Sequence, residues 1–481
     1  MLFNSKLFVL AFLPLALGGF YALGQCGRRA AKLWLLACSL VFYAWGNPPF
    51  VLLLLASIGG NFLAARRLER AAGRGWLVVG LAGNLLLLGF FKYGRFFAAP
   101  LFSVPFGGFA VPLGISFFTF QQVMFLVDLY RREIKLPAFL DYACFIAFFP
   151  HLISGPIVRP GHILPQLAAL APRWNGAARL AEGAEIFLLG LTKKLLLADS
   201  LARFADPGFA AAGRHYPLTF IEAWVALLAY GAQIYFDFSG YCDMAVGLAR
   251  LFGIAFPQNF NRPYRATSVS DFWRRWNITL SAFLRDYLYI PLGGNRRGEV
   301  RRVVNLMITM LLGGLWHGAA WRFLLWGGLH GLFLVIHGFW ERLGWRLPKP
   351  LAWGLTLLCV ILAWVPFRAP GWGAAMDFYA GLCGAHGLAL PAFYAALLPP
   401  AFARLVQIVP VLPWLGDART VSLAQAGLLL ALGWFVALAV PELGVPGRRP
   451  GRSVALVAGF GFCLQALFFA PAAVPFLYFQ F

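Results

Sequence analysis

The sequence contains little charge, and acidic residues are especially scarce. Charged residues account for 12% of the 481 positions, and 18 Asp and Glu residues stand against 40 Lys and Arg residues. Hydrophobic residues account for 61%, and the mean hydropathy is +0.74. Soluble globular domains carry about 25% charged residues. The composition therefore excludes an ordinary soluble protein and indicates an integral membrane protein.

Cysteine pairs and internal repeats are also missing. The seven cysteines are scattered and include no CxxC pair, a distribution that predicts neither a disulfide framework nor a zinc site. No repeat with a period of about 20 to 50 residues is evident, and we therefore predict a single membrane domain over residues 1–481. The repeated alternation of a β-barrel is absent as well, which favours helices across the membrane.

Long apolar runs are abundant. A helix needs about 20 residues to cross a hydrocarbon core of roughly 30 Å. We therefore predict an all-α polytopic membrane protein with about 11 to 13 transmembrane or re-entrant helices. The runs lie near residues 7–24, 33–65, 76–97, 139–158, 181–203, 219–256, 303–340, 351–368, 391–412, 423–440 and 453–471. The first lacks an A-x-A cleavage site and is predicted to be a retained helix. The second is predicted to be a hairpin broken at "GNPP", and the run at 303–340 is long enough to bend back.

The basic residues are concentrated in loops between these runs. Clusters such as "GRRAAK", "ARRLERAAGRG" and "YRREIK" follow apolar segments, and the region 262–302 adds many more. The positive-inside rule predicts that these loops are cytoplasmic and that the N-terminus is periplasmic. The same charge would attract an anionic substrate such as a nucleotide thioester, and the two roles are compatible.

Residues 257–302 form a charged segment between apolar neighbours. A cap at Ser268, Ser270 or Asp271 predicts a helix from Phe272 to about Tyr289. Its apolar stripe comprises Phe272, Trp276, Leu280, Phe283 and Tyr287, opposite Arg274, Arg275 and Arg285. Such a cytoplasmic amphipathic helix lies along the interface or packs beside the bundle. The following "PLGGNRRG" lacks the residue order of a P-loop and gives little support to nucleotide cradling by itself.

The apolar run at 303–340 carries three histidines. His317 lies in "LLGGLWHGAAW", without an acidic residue nearby. A titratable group in a membrane is costly and is a functional hypothesis by default, and imidazole suits proton transfer. A neutral histidine bonded to a core carbonyl is the alternative. His330 and His337 lie seven positions apart, too far for one metal ion on a continuous helix. Glycines beside His317 allow a close approach of another helix or a substrate.

Several motifs together resemble the membrane-bound O-acyltransferases, most closely their alginate O-acetyltransferase branch. They are "NFNRPYRATSVSDFWRRWNITLSAFLRDYLYIPLGGNRRG", "GGLWHGAAWRFLLWGGLHG", "FFPHLISGPIVR", "YFDFSGYCDMAVG" and the terminal "FLYFQF" at 476–481. The resemblance covers essentially the whole chain. It implies that His317 is catalytic and that Asn277 is a second polar site residue. Alginate-type members commonly have His at the Asn277 position and Gln at the His151 position.

The resemblance further implies helices around a central tunnel and transfer of an acetyl group from cytoplasmic acetyl-CoA. The acceptor would be an exported polysaccharide, such as alginate, cellulose or peptidoglycan, reached from the opposite side of a bacterial inner membrane. His317 would act as general base, while Asn277 would orient it or donate to the oxyanion. The donor phosphates would be held by Arg262, Arg274, Arg275, Arg285, Arg296 and Arg297. We expect no metal, no bound cofactor and no nucleic-acid partner, but membrane lipids and a separate periplasmic acetyl-handling transferase as partners.

Two questions stay open at the level of sequence. Tyr478 in "FLYFQF" is either an acyl relay or an aromatic anchor at the interface. The activity is either acetyl transfer or transfer of another acyl group, such as D-alanyl transfer to teichoic acid. A transporter is a third class, although the paired broken helices typical of transporters are not evident. The sequence assigns no role to His151, His330 or His337.

Overall fold

The computed structural model describes residues 1–46, 48–71, 73–94, 96, 111–170, 177–391, 396, 398–399, 402, 406–409, 423–442 and 474–477. These residues are mostly helical. The α-helices are α1 (Leu13–Gln25), α2 (Arg28–Ala44), α3 (Phe50–Ala71), α4 (Arg74–Leu88), α5 (Ile115–Tyr130), α6 (Phe139–Ala147), α7 (Phe149–Leu152), α8 (Pro160–Ala168), α9 (Ala177–Thr192), α10 (Asp199–Gly213), α11 (Phe220–Leu251), α12 (Val269–Trp273), α13 (Ile278–Leu284), α14 (Glu299–His317), α15 (Trp321–Arg342), α16 (Lys349–Arg368), α17 (Trp372–Leu382) and α18 (Leu423–Ala439).

Shorter elements complete the described parts. Four segments are π-helical, namely Phe8–Phe12, Gly89–Tyr93, Lys193–Ala198 and Arg285–Tyr289, and Pro263–Arg265 is a 3-10 turn. Strands β1 (Leu388–Pro391) and β2 (Val406–Val409) pair in parallel. Five helical segments in the described ranges are long and apolar enough to span a membrane: Phe8–Gln25, Phe50–Arg70, Arg74–Tyr93, Trp321–Arg342 and Lys349–Arg368. The prediction of an all-α multi-pass protein is confirmed.

The chain divides into two compact units. The first comprises Met1–Thr192, Phe238–Asn259 and Leu443–Phe481, and the second comprises Lys193–Asp237 and Phe260–Glu442. The long helix α11 contributes residues to both units.

The first unit contains two helical hairpins and a set of short helices. Helix α1 packs on α2, and α4 packs on both α3 and α5. The break at "GNPP" is confirmed, since α2 ends at Ala44 and α3 begins at Phe50. The predicted run at 139–158 is not one continuous span, because α6 ends at Ala147 and α7 covers only four residues.

The second unit is centred on the α14–α15 hairpin. Helix α15 packs on α14, α16 and α12, while α10 packs on α17 and α18. The predicted bend in 303–340 is confirmed, because the chain leaves α14 after His317 and begins α15 at Trp321. Gly318 and Ala320 between the helices are in extended conformations.

Two predicted helices are wrong in extent. The helix expected from Phe272 to Tyr289 is broken, because Asn277 has a left-handed backbone (φ 43°, ψ 56°) that cannot continue a right-handed helix. Ser268 does cap the first part, α12, by accepting a hydrogen bond from the Asp271 N–H at 3.0 Å. The apolar run at 391–412 was predicted to be helical, but its described residues at 391 and 406–409 lie in β1 and β2.

Candidate functional site

His317 is the last residue of α14 and is 7% exposed. The C-terminal end of a helix carries a partial negative charge from its aligned peptide dipoles. Positive charge that forms on the imidazole when it accepts a proton is therefore stabilised at this position. The helix ends here because Gly318 takes an extended conformation (φ −175°, ψ 156°) and turns the chain toward α15.

Aromatic rings enclose the His317 side chain. The ring centroids of Trp316, Trp326 and Phe367 lie 4.9, 5.0 and 5.1 Å from that of the imidazole, and Phe323 lies 6.4 Å away. The ring planes of Trp326 and Phe367 are nearly perpendicular to the imidazole plane, with interplanar angles of 87° and 78°. This apolar enclosure excludes water and strengthens electrostatic interactions at the ring.

Glycines set the distance between α14 and α15. A Cβ added at Gly314 would lie 2.2 Å from the Phe323 carbonyl oxygen, and one at Gly327 would lie 2.3 Å from the Met310 carbonyl oxygen. Only glycine fits at such a backbone contact. The close approach predicted from the glycines of "LLGGLWHGAAW" is therefore present, and the partner is α15 itself.

Asn277 lies between α12 and α13 and is 1% exposed. Asparagine tolerates the left-handed conformation better than most residues. Its backbone carbonyl accepts a hydrogen bond from the Ser281 N–H at 3.0 Å, which starts α13. Within the described residues its side-chain Oδ1 has no hydrogen-bond partner. A buried acceptor left unpaired costs about 1–3 kcal/mol, so this amide is a candidate for contact with substrate.

Three indole rings in mutual contact connect the surroundings of Asn277 with those of His317. Trp276 contacts Trp364 at 5.1 Å, Trp364 stacks on Trp326 at 5.8 Å, and Trp326 contacts His317 at 5.0 Å. His317 and Trp276, the residue that precedes Asn277, thus belong to one aromatic cluster, although the two predicted site residues are forty positions apart in sequence.

His330 belongs to the same cluster. Its ring centroid lies 4.7 Å from Trp326 and 5.2 Å from Trp273, and the residue is completely buried. Neither ring nitrogen has a hydrogen-bond partner in the part of the chain that the structure describes. On a continuous helix His317 and His330 would face roughly opposite directions, but the hairpin places both against Trp326.

His151 and His337 lie elsewhere. His151, in the first unit, is fully buried and stacks on Phe256 at 5.2 Å with an interplanar angle of 9°. Its Nε2 lies 2.7 Å from the Phe145 carbonyl oxygen, a geometry that requires Nε2 to donate. His337 is half-buried, with Nε2 3.8 Å from Glu341 Oε1.

The six predicted donor arginines divide by exposure. Arg274, Arg285, Arg296 and Arg297 are exposed, whereas Arg262 and Arg275 are half-buried. Arg275 Nε donates to Asp271 Oδ1 at 2.8 Å, and Arg285 Nε donates to Asp286 Oδ1 at 2.7 Å. The glycine-rich turn that carries Arg296 and Arg297 is held by Asn305, whose Nδ2 donates to the Gly294 carbonyl at 2.9 Å.

Glu299 joins the outer ends of the hairpin. It accepts hydrogen bonds from Arg302, at 2.8 Å from Nε, and from Arg342 at the end of α15. These hydrogen bonds hold the pKa of the Glu299 carboxyl below its usual value. The Glu299 carboxylate therefore keeps its negative charge at neutral pH. Its hydrogen bonds hold the start of α14 against the end of α15.

Two buried ion-pair clusters in the second unit were not predicted from the sequence. Lys194 Nζ lies 2.7 Å from Asp237 Oδ1 and 2.8 Å from Asp199 Oδ1. Glu442 accepts from Lys193 Nζ at 2.5 Å and from the Tyr235 hydroxyl at 2.9 Å. Charged residues inside the apolar runs 181–203 and 219–256 could have indicated these ion pairs, because charged residues are rare in membrane segments and are usually paired there.

Tyr478 lies outside the described residues, so its predicted relay role stays a prediction. The neighbouring Phe476 is described, and its ring contacts Tyr241 of the same unit edge-on at 4.7 Å.

The chain is similar to proteins of a known family. The model of the membrane-bound O-acyltransferase family, MBOAT, matches residues 83–356. The chain belongs to the membrane-bound O-acyltransferase family. This MBOAT protein is accordingly a multi-pass membrane O-acyltransferase, which favours an enzyme over the transporter alternative.

Three similar proteins have named activities. The MBOAT chain is 42% identical to a peptidoglycan O-acetyltransferase of Helicobacter pylori, over 81% of each chain. It is 41% identical to a probable alginate O-acetylase, AlgI, of Pseudomonas aeruginosa, over 79% of this chain and 74% of the relative. A teichoic acid D-alanyltransferase of Streptococcus thermophilus is 28% identical over 48% of this chain and 57% of the relative.

Proposed function

We propose that this protein moves an acetyl group from cytoplasmic acetyl-CoA across a bacterial inner membrane for O-acetylation of an exported polysaccharide. The observation that carries the proposal is a buried imidazole, His317, at the C-terminal end of α14 in an O-acyltransferase. Identity of 41–42% to two O-acetyltransferases over about four fifths of the chain supports acetyl as the transferred group.

His317 would act as general base and then as general acid. Its imidazole takes the proton of the acceptor hydroxyl while the hydroxyl oxygen attacks the thioester carbonyl carbon. The resulting tetrahedral oxyanion collapses, the carbon–sulfur bond breaks, and the imidazolium returns the proton to the departing thiolate. The products are an O-acetyl ester and free coenzyme A thiol. The negative end of α14 would stabilise the imidazolium between the two proton transfers.

Asn277 would supply a polar contact in the same reaction. Its buried Oδ1, unpaired within the described part of the chain, is suited to receive a hydrogen bond from substrate, and its Nδ2 to donate one to the oxyanion. The left-handed backbone of Asn277 joins α12 to α13, and these two helices set where its side chain leaves the backbone.

The donor would approach from the cytoplasmic face of the α12–α14 region. The four exposed arginines, Arg274, Arg285, Arg296 and Arg297, remain candidates for contact with the phosphates of coenzyme A. Arg262 and Arg275 are less available because both are half-buried. Arg275 is paired with Asp271, and Arg285 is paired with Asp286. The basic loops also support a periplasmic N-terminus by the positive-inside rule.

The principal alternative is another acyl group. Similarity to the D-alanyltransferase covers only 48% of this chain at 28% identity, and this lower similarity makes D-alanyl transfer the second candidate. We infer a polysaccharide acceptor from the names of two relatives, a peptidoglycan O-acetyltransferase and a probable alginate O-acetylase. A periplasmic acetyl-handling transferase would complete the transfer to the polymer.

Reconstituted proteoliposomes would test the donor directly. Purified protein receives acetyl-CoA labelled on the acetyl group, and a D-alanyl thioester in a parallel reaction. We expect covalent acetyl label on protein or acceptor in the wild type and none in His317→Gln. Preferential transfer of D-alanine would overturn the acetyl assignment, and movement of intact acetyl-CoA without covalent label would overturn the enzymatic one.

A separate experiment addresses Tyr478 as acyl relay in cis. Intact-protein mass spectrometry after donor loading is expected to show an acetyl adduct of the wild type that is missing from Tyr478→Phe. Full transfer activity of Tyr478→Phe would remove the relay role and leave Tyr478 as an interfacial anchor.

A further inference from the structure

Two adjoining cavities lie beside α16 in the second unit. The first, the Lys349 cavity, has a volume of about 520 Å³, and the second, the Trp345 cavity, has a volume of about 420 Å³. Thr267 lines both cavities and connects them. Each volume falls within the range of roughly 300–1,000 Å³ that is typical of small-molecule sites.

The Lys349 cavity combines positive charge with an apolar floor. Arg265 and Lys349 lie at its edge, and both side chains are exposed. Among the residues that the structure describes, neither cation forms an ion pair with a carboxylate. Trp353 and Leu438 contribute to the floor, and Trp353 is fixed because its Nε1 donates to the Tyr264 carbonyl at 2.8 Å.

The Trp345 cavity is a mainly apolar slot between α15 and α16. Phe333, Ile336 and Trp340 line it from α15, and Leu355 lines it from α16. Trp340 and Trp345 contact each other edge-on at 5.1 Å near its outer end. Tryptophan is enriched where a membrane protein crosses the membrane–water interface.

Both cavities are placed where membrane segments end. The candidate span Trp321–Arg342 ends beside them, and the candidate span Lys349–Arg368 begins beside them. We therefore expect Lys349 at the depth of the lipid phosphates, and we expect the α15–α16 slot to extend from that depth into the hydrocarbon region. Basic pockets between transmembrane helices on the cytoplasmic side bind anionic lipid head groups.

We propose that these two cavities form one binding site for an anionic phospholipid. The phosphate lies between Arg265 and Lys349, at the positive N-terminal end of α16, and one acyl chain occupies the Trp345 cavity. An uncharged or zwitterionic lipid would fill the Trp345 cavity with an acyl chain, but it would not neutralise the charges of Arg265 and Lys349. This site is separate from the predicted donor arginines and does not depend on the proposed reaction.

Lipid selection can be measured by native mass spectrometry of the protein released from nanodiscs of phosphatidylglycerol and phosphatidylcholine. The wild type is expected to retain phosphatidylglycerol in preference to phosphatidylcholine. In the double variant Arg265→Gln/Lys349→Gln, the preference for phosphatidylglycerol over phosphatidylcholine is expected to fall roughly 10- to 30-fold. Each basic residue near the membrane surface contributes a factor of about five to the binding of anionic lipid. Arg301→Gln/Arg346→Gln removes two exposed charges outside the cavities and serves as the matched control.

The acyl slot has its own variants. Ala352→Trp fills the Trp345 cavity and leaves both cations in place, so retention of phosphatidylglycerol is expected to fall although the charge is unchanged. Leu355→Phe gives a smaller obstruction if the larger one prevents folding. Equal lipid preference in the cavity and control double variants would overturn the proposal. Displacement of the retained lipid by coenzyme A would also overturn it, because the cavities would then be a nucleotide site.

Discussion

At the residue scale, the candidate site depends on polar groups in an apolar setting. His317 has aromatic neighbours and a helix C-terminus, and Asn277 has an amide oxygen without a hydrogen-bond partner among the residues that the structure describes. Both residues were predicted from the sequence, the first from its position in an apolar run and the second from resemblance to a family. Sequence could not show that Trp364 and Trp326 connect their surroundings, because indoles from three separate segments meet only in the fold.

Asn277 allows the amide and the backbone to be tested separately. Asn277→Gly keeps access to the left-handed conformation and removes the amide, whereas Asn277→Ala removes the amide and adds backbone strain of about 1–2 kcal/mol. We expect both variants to lose roughly 10²-fold in turnover, because a lost oxyanion donor costs about that much. Acetyl transfer at matched protein amounts is the measurement. Near-normal turnover of Asn277→Gly would show that Asn277 serves only the backbone.

Lys194 is predicted to stabilise the fold. Lys194→Met would leave Asp199 and Asp237 without their shared cation in a buried setting, at a cost of about 3–5 kcal/mol. We expect a large fall in the thermal unfolding midpoint in detergent. Adding Asp237→Asn to Lys194→Met should recover part of the loss, and no recovery would argue against charge imbalance as the cause.

At the scale of elements, the α14–α15 hairpin presents His317. The sequence predicted the bend in 303–340 and the role of its glycines, since both follow from apolar length and residue size. It did not predict the break between α12 and α13. The apolar stripe continues through that break, and periodicity does not reveal a single left-handed residue such as Asn277.

Two adjacent glycines of α15 provide a matched test of the hairpin. In Gly327→Ala the new methyl group meets the Met310 carbonyl, whereas in Gly328→Ala it makes an ordinary contact at 3.5 Å with Leu311. We expect Gly327→Ala to destabilise the protein by about 1–3 kcal/mol and to lower activity. Gly328→Ala is expected to be neutral or slightly stabilising, because alanine favours helix. Equal unfolding temperatures for the two variants would contradict the close contact.

At the scale of the whole molecule, composition was sufficient to predict an all-α multi-pass protein. The assignment of individual segments was less accurate. The run at 139–158 contains short helices, and parts of 391–412 form strands. Hydropathy measures burial in lipid and in protein alike, so it cannot separate a span from a segment buried in the helical bundle.

The orientation in the membrane that the basic loops predict can be tested at Cys26. This exposed cysteine follows α1 and precedes the "GRRAAK" cluster, which we predict to be cytoplasmic. In a variant that retains only Cys26, a membrane-impermeant maleimide should label permeabilised cells and not intact cells. Labelling of intact cells to the same extent would reverse the proposed orientation.

The central claim is that His317 transfers the proton in acyl transfer. The most direct measurement is the rate of acetyl transfer by His317→Gln and wild type, at equal abundance and with equal unfolding temperatures, in proteoliposomes supplied with labelled acetyl-CoA. Loss of a general base lowers turnover by about 10²- to 10⁴-fold, and we predict a loss of that size with binding of coenzyme A preserved. Turnover within a few-fold of wild type would contradict the assignment of His317.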